Sequence, residues 1–279
     1  MTVHGRQIFY REAGPADAPV LVLLHGFPTS SYMYRNLIPA LADRYRLIAP
    51  DYLGYGWSDA PTPDQFTYTF ESMTTLITDF IATLGLRRYS LYLQDFGAPI
   101  GFRIAARHPQ QVSAIISQNG NAYVEGITPP ILAGLNAPPD PKVLRYQVSL
   151  EFTKSQYLTG VPDPSLVDPD SWMHDQELLD RPGNDLIQFA MLEDYKNNLA
   201  AYAEFQTYFR TSQVPLLAVW GANDPIFIPA GARAFKKDLP HAEVHLLNTG
   251  HFALETHTPE IAAYIRDFLP RAHTYPHNA

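Results

Sequence analysis

The chain has no cysteine. That excludes a disulfide framework, a thiol nucleophile and a thiolate metal site. No apolar run approaches the roughly 20 residues that a membrane-spanning helix needs. The N-terminal Met1-Thr2-Val3-His4-Gly5-Arg6 lacks the charged-then-apolar pattern of a secretory signal. Basic residues are also in deficit, 20 against 28 acidic, for a net charge of −8. Such a balance argues against nucleic acid or an anionic membrane as partner. A soluble, cytoplasmic protein is the expectation, acting as a monomer or homodimer. What is present is ample apolar content, 46% over 279 residues, enough for one large domain or a core with an insertion.

The pattern along the chain predicts an α/β protein. Gln7 to Glu12 suggests a short edge strand, with Gly14-Pro15 as the turn after it. Pro19 to Leu24 is a continuous apolar run, as expected of a parallel strand buried on both faces. Further strands are predicted at 45–50, 90–93, 112–117, 215–220 and 242–247, with helical spacing over 33–41, 70–84 and 259–269 and a loose tail after Pro270. Asp51-Tyr52-Leu53-Gly54-Tyr55-Gly56-Trp57-Ser58 is a glycine-punctuated loop that shapes the fold. Strands alternating with helices imply βαβ units and a parallel sheet. From Asn121 to about Tyr208 prolines accumulate and no core strand can be read. The chain therefore divides into a core at 1–120, a helical cap at 121–210 and the rest of the core at 211–279.

Chemistry concentrates where the predicted strands end. Ser90 to Gln94 runs as a strand into Asp95, and a helix starts at once through Gly97, Ile100 and Gly101. A turn this tight fixes its central residue and projects the side chain. An aspartate there serves either as a helix cap or as a reactive group. Two distant segments weigh on that choice, Gly221-Ala222-Asn223-Asp224-Pro225 and Asn248-Thr249-Gly250-His251-Phe252, each just past a strand. Carboxylate, acid and histidine in that chain order form the arrangement of an α/β-hydrolase triad. Aspartate at position 95 excludes a serine esterase.

Over nearly its whole length the chain resembles the α/β-hydrolase fold superfamily, and most closely its epoxide hydrolase and haloalkane dehalogenase branch. Gln94-Asp95-Phe96-Gly97 resembles that branch's Gln/His-Asp-Trp-Gly, and His25-Gly26-Phe27-Pro28 its oxyanion-hole loop. Trp220 to Pro225 and Gly250-His251-Phe252 match the segments carrying the acid and the histidine. Leu93 departs from the small residue common two places before the nucleophile. The resemblance implies a mostly parallel central sheet flanked by helices, with a helical cap inserted after the sixth strand. It implies Asp95 as nucleophile, His251 as base and Asp224 as its partner, with the N–H groups of Phe27 and Phe96 as the oxyanion hole. No metal or cofactor is implied.

Within that branch the leaving group decides the reaction. Phe96 and Phe27 stand where a dehalogenase would place N–H donors for halide, and neither ring can donate. Glu193-Asp194-Tyr195-Lys196-Asn197 resembles the stretch that supplies an acidic tyrosine in epoxide hydrolases, and Arg145-Tyr146 the second tyrosine site, with Tyr157 as its rival. Tyr157 and Trp172, with Phe27 and Phe96, are expected to line the substrate pocket. The expected partner is thus a small apolar molecule, an epoxide or, alternatively, a haloalkane. A catalytically silent ligand-binding member of the fold is the non-enzymatic alternative.

Overall fold

The computed structural model describes residues 1–274. Two short strands, β1 (Thr2–Val3) and β2 (Arg6–Gln7), pair only with each other. Seven more form the central sheet: β3 (Tyr10–Ala13), β4 (Val20–Leu24), β5 (Arg46–Pro50), β6 (Tyr89–Gln94), β7 (Val112–Gln118), β8 (Leu216–Gly221) and β9 (Glu243–Leu247), in the order β3-β5-β4-β6-β7-β8-β9. Only the edge strand β3 runs antiparallel to its neighbour. From β4 the chain steps outward to β5 and then returns to β6 on the other side. That reversal places the topological switch point between β4 and β6, where α/β sheets open a crevice at the strands' C-terminal ends. Phe27 and Asp95 lie just past those two ends.

The continuous apolar runs are explained by burial on both faces. Val22, Leu24, Leu91, Leu93, Leu216 and Ala218 belong to one apolar cluster. The alternating residues Leu21, Leu23, Tyr92, Leu217 and Val219 belong to the other. The period of two thus splits each strand between the two layers. Helices α2 (Phe70–Thr83) and α3 (Gly97–Arg107) supply the first cluster; α1 (Leu37–Leu41) and α11 (Ala253–Thr274) supply the second. Thr69 caps α2 through its side chain, and Gly85, with φ of +70°, follows its end.

Between β7 and β8 lie α4 (Pro129–Asn136), α5 (Pro141–Gln147), α6 (Leu150–Leu158), α7 (Pro169–Leu179), α8 (Asn184–Asp194) and α9 (Asn197–Ser212), and α10 (Pro229–Ala234) follows β8. Counted within the large sheet, this insertion follows the fifth strand, because β1 and β2 form a hairpin of their own. It builds no separate core. Tyr202, Phe205 and Phe209 of α9 join the first cluster, and Tyr157 and Trp172 join the second. Polar bonds tie the seam: Ser171 accepts from Arg35 at 2.7 Å and donates to Glu255 at 2.8 Å, and the Gln188 amide donates to the Gly54 carbonyl at 3.1 Å.

The C-terminal helix departs from the expectation at both ends. It begins at Ala253, with a kink at His257 just before Pro259, and runs through Pro270 to Thr274. Proline removes one helical donor, but Phe268, Leu269 and Ala272 are buried against the sheet, and that burial carries the helix past it. Of the expected loose tail, 275–279 lie outside the described residues.

One carboxyl in the seam makes stability depend on pH. Asp175 of α7 is wholly buried and accepts the Tyr157 hydroxyl at 2.5 Å. Burial pushes its pKa up from the ordinary 3.8 to about 7. The folded chain therefore binds this proton more tightly than the unfolded chain, and stability falls as pH rises from about 4 through 7. Asp175→Asn keeps an acceptor for Tyr157 and cannot ionise. Its melting temperature should exceed the parent's at pH 8 and converge on it near pH 4.5; parallel curves would refute the assignment.

Candidate active site

Asp95 sits between β6 and α3 with φ of +48°, a left-handed conformation that a residue with a side chain adopts only under constraint. Its carboxylate does not cap α3, whose N-cap is Phe96 without a side-chain bond. Instead Oδ1 accepts the Phe27 N–H at 2.7 Å, and the Phe96 N–H also bonds to the carboxylate. The choice left open by the sequence thus falls against the helix cap. Two glycines make room for the turn. A Cβ on Gly97 would stand 2.1 Å from the Leu24 carbonyl oxygen, and one on Gly26 would stand 2.3 Å from Asp95 Cβ.

His251, wholly buried, donates from Nδ1 to Asp224 Oδ2 at 2.8 Å. With its proton on Nδ1, the neutral ring carries its lone pair on Nε2. That nitrogen lies 3.6 Å from Asp95 Oδ2 and 3.2 Å from the Gln94 amide. Asp224 is itself oriented: Asn119 Nδ2 donates to Oδ2 at 2.7 Å, and the Ile226 N–H donates to Oδ1 at 2.7 Å. Burial works against charge on His251, but Asp224 and Asp95 outweigh it and raise its pKa. Burial raises that of Asp95, opposed by His251 and the two N–H groups. His25 has another fate. Burial lowers it to about 4, and as a neutral ring it accepts the Tyr52 N–H on Nε2.

Beside Asp95, starting from its neighbour Phe96, runs an aromatic wall. Phe96 lies 5.6 Å from Phe27, 5.0 Å from Phe70 and 5.7 Å from Tyr195, centroid to centroid. Tyr195 is pinned by its sequence neighbours: Asp194 accepts the Phe70 N–H at 2.8 Å, and Asn198 accepts Arg103 Nη1 at 2.8 Å. The Tyr195 hydroxyl bonds to Tyr202, whose oxygen also accepts from Asn121 Nδ2 at 3.2 Å. Burial pushes Tyr195 well above its ordinary value, with Tyr202 and the Asp95 charge adding to the effect. Phe227 closes the wall, its ring 6.0 Å from both Tyr195 and His251.

Three expected residues lie elsewhere. Tyr146 is 45% exposed on α5, its ring against Phe152. Tyr157 stacks on Phe252 at 4.0 Å with its hydroxyl held by Asp175, and Trp172 packs beside it 6.3 Å away. Both belong to the apolar cluster across the sheet from Phe27, Phe96 and Tyr195. Tyr202, Asn121, Phe227 and Asn119 escaped the sequence reading. The one available signal was position, since Asn119 and Asn121 follow β7 as Asp95 follows β6. The described residues gather no group of three or more His, Asp or Glu side chains as a metal site.

An aspartate on a strained strand-to-helix turn, facing two backbone N–H groups and a histidine–aspartate pair, sits on a doubly wound sheet. The sequence matches the α/β-hydrolase fold family over residues 19–258, and the chain belongs to that family. It is a hydrolase of this fold, 41% identical over 274 residues to the uncharacterized hydrolase YNR064C of Saccharomyces cerevisiae, covering 94% of this chain and 92% of that one. A haloalkane dehalogenase of Mycolicibacterium paratuberculosis is 29% identical over 272 residues, covering 93% and 86%. Among solved structures, Cfl2 from Burkholderia cenocepacia superposes with a TM-score of 0.80 at 24% identity, covering 96% and 94%. At that identity the likeness concerns the fold alone.

The turn's dependence on glycine is measurable. Gly97→Ala should lower stability by about 1–3 kcal/mol in chemical denaturation, since the obstructing atom is backbone. Gly134→Ala, in α4 with open space around it, should be neutral or stabilising. Equal effects at both sites would refute the steric account.

Proposed function

We propose that the protein opens epoxides to vicinal diols through an ester on Asp95. A carboxylate oxygen attacks the ring carbon, the C–O bond breaks, and the resulting alkoxide takes a proton from the Tyr195 hydroxyl. Water then attacks the ester carbonyl while His251 Nε2 removes its proton, with Asp224 holding the ring and stabilising the imidazolium. The Phe27 and Phe96 N–H groups stabilise the oxyanion; losing one such donor typically costs about 10²–10³ in rate. His251 returns its proton to the departing alcohol, the carboxyl of Asp95 loses its own, and solvent reprotonates Tyr195.

The observation that carries this reading is the kind of donor beside Asp95. The phenyl rings of Phe27 and Phe96 hold no N–H for a halide, whereas Tyr195, stacked on Phe96, carries a buried hydroxyl that donates to Tyr202 in the structure and would turn to the alkoxide during ring opening. Tyr202 takes the place expected for Tyr146. Burial disfavours phenolate on both tyrosines, and the guanidinium of Arg103 offsets only a small part of that. Haloalkane dehalogenation is the second reading, favoured by the relative of that name. It uses the same Asp95 ester and differs only in what leaves.

Trapping tests the shared step and product analysis the distinguishing one. His251→Gln should form ester without releasing it, seen as substrate mass added to the peptide bearing Asp95; an unmodified peptide after incubation with a turned-over substrate overturns covalent catalysis. Styrene oxide should yield diol, and 1-bromobutane should release no bromide. The reverse result selects the second reading. Tyr195→Phe should slow ester formation from epoxide by about 10²-fold or more and leave ester hydrolysis unchanged. If neither step changes, Tyr195 is structural.

A further inference from the structure

Two glutamines end adjacent strands and both reach His251. Gln94 of β6 and Gln118 of β7 are cross-strand partners. Gln118 Nε2 donates to the His251 carbonyl at 3.1 Å, and its Oε1 accepts the Tyr92 hydroxyl at 2.8 Å, so both ends of that amide are satisfied. Gln94 is equally buried but half satisfied. Its Nε2 lies 3.2 Å from His251 Nε2, while Oε1 has no partner and lies against Gly26. An inaccessible amide oxygen without a donor is costly, and a buried site rarely keeps one without a use. An apolar side chain of similar volume would fill the same space at no such cost.

The chemistry at His251 Nε2 supplies that use. Asp95 and Asp224 are the charged groups facing the ring; its other neighbours, Phe227, Phe252 and Gln94, carry none. While Asp95 is ionised, both carboxylates favour the imidazolium; whenever the ring takes up that proton Nε2 becomes a donor, and Asp95 Oδ2 at 3.6 Å is too far to accept it. A half-turn of the Gln94 amide presents Oε1 to it. Once Asp95 is esterified its charge is gone, the ring gives up this proton to solvent, and Nε2 becomes an acceptor for water. An amide oxygen beside Nε2 then accepts the second O–H of that water.

We propose that Gln94 is a positioning residue for the water step, its amide oxygen serving first the protonated His251 and then the hydrolytic water on the ester. This rests on the ester reading above and holds whether an epoxide or a haloalkane forms the ester. Gln118 fixes the histidine's backbone, and Gln94 governs what meets its ring.

Gln94→Met keeps the volume and removes the oxygen. Ester hydrolysis should slow about tenfold and ester formation by less than about threefold. In steady state kcat and KM should then fall together with kcat/KM preserved, and ester should accumulate on Asp95 in the otherwise unaltered enzyme. A merely structural role would lower kcat/KM instead and accumulate nothing; that result, or unchanged kinetics, overturns the proposal. Gln94→Glu keeps the oxygen and adds a third carboxylate beside His251. The pH of half-maximal ester hydrolysis should rise by roughly one unit, and an unmoved profile also counts against the role. Adduct in His251→Gln but none in Gln94→Met overturns the Gln94 role alone. Adduct in neither overturns the ester reading and this inference with it.

Discussion

The arrangement depends on a single buried carboxylate held in a backbone conformation it would not choose. Asp95 is at φ of +48°, nearly inaccessible, with one oxygen on the Phe27 N–H and the other 3.6 Å from His251. Burial alone would drive it toward the neutral acid. The N–H groups after β4 and β6 and the histidine after β9 oppose that drive from three directions. Burial still prevails and holds the pKa above its ordinary value, but each of the opposing elements is fixed by the sheet, so the support for charge on Asp95 follows from the strand order. Glycine at positions 26 and 97 is what lets the strands' ends come this close.

The same constraint organises the histidine side. His251 is gripped at Nδ1 by Asp224, at its carbonyl by Gln118 and at Nε2 by the Gln94 amide. Asp224 is held in turn by Asn119, itself at φ of +48° just past β7. Strands β6 and β7 thus end in residues of this network, and the loops after β8 and β9 carry the others. A parallel sheet does this readily, because all its C-terminal ends open on one edge.

This explains what could be read from the sequence. Strands buried on both faces show as unbroken apolar runs such as Val20 to Leu24; Asp95 follows its strand at once, while Asp224 lies three residues past β8 and His251 four past β9. Their proximity is topological, so order along the chain reveals it. The aromatic wall is different. Tyr146 and Tyr157 lie on inserted helices and Tyr195 in the turn between α8 and α9, and only packing sorts them: one faces solvent, one faces Asp175, and one stacks on Phe96. Phe227 joins the wall through contacts between elements distant in sequence, which leave no local pattern, while Tyr202 lies seven residues after Tyr195 across the start of α9. Pro270 misled for a related reason, since burial of the residues around it outweighs its missing donor.

The inserted helices divide by how they are held. Helices α8 and α9 meet the core through the Asp194 bond to Phe70 and the Asn198 bond to Arg103, and Phe205 and Phe209 lie wholly within the first cluster. Helices α4 and α5 bury no residue. Tyr195, whose ring stacks on Phe96, therefore stands on the part of the insertion that behaves as core, and the outer helices carry little of the packing. Under the epoxide reading proposed above, rigidity is what Tyr195 would need as the acid, because its hydroxyl would have to stay aimed while the ring opens. The outer helices carry no such demand, and sequence can vary there without disturbing the geometry around Asp95.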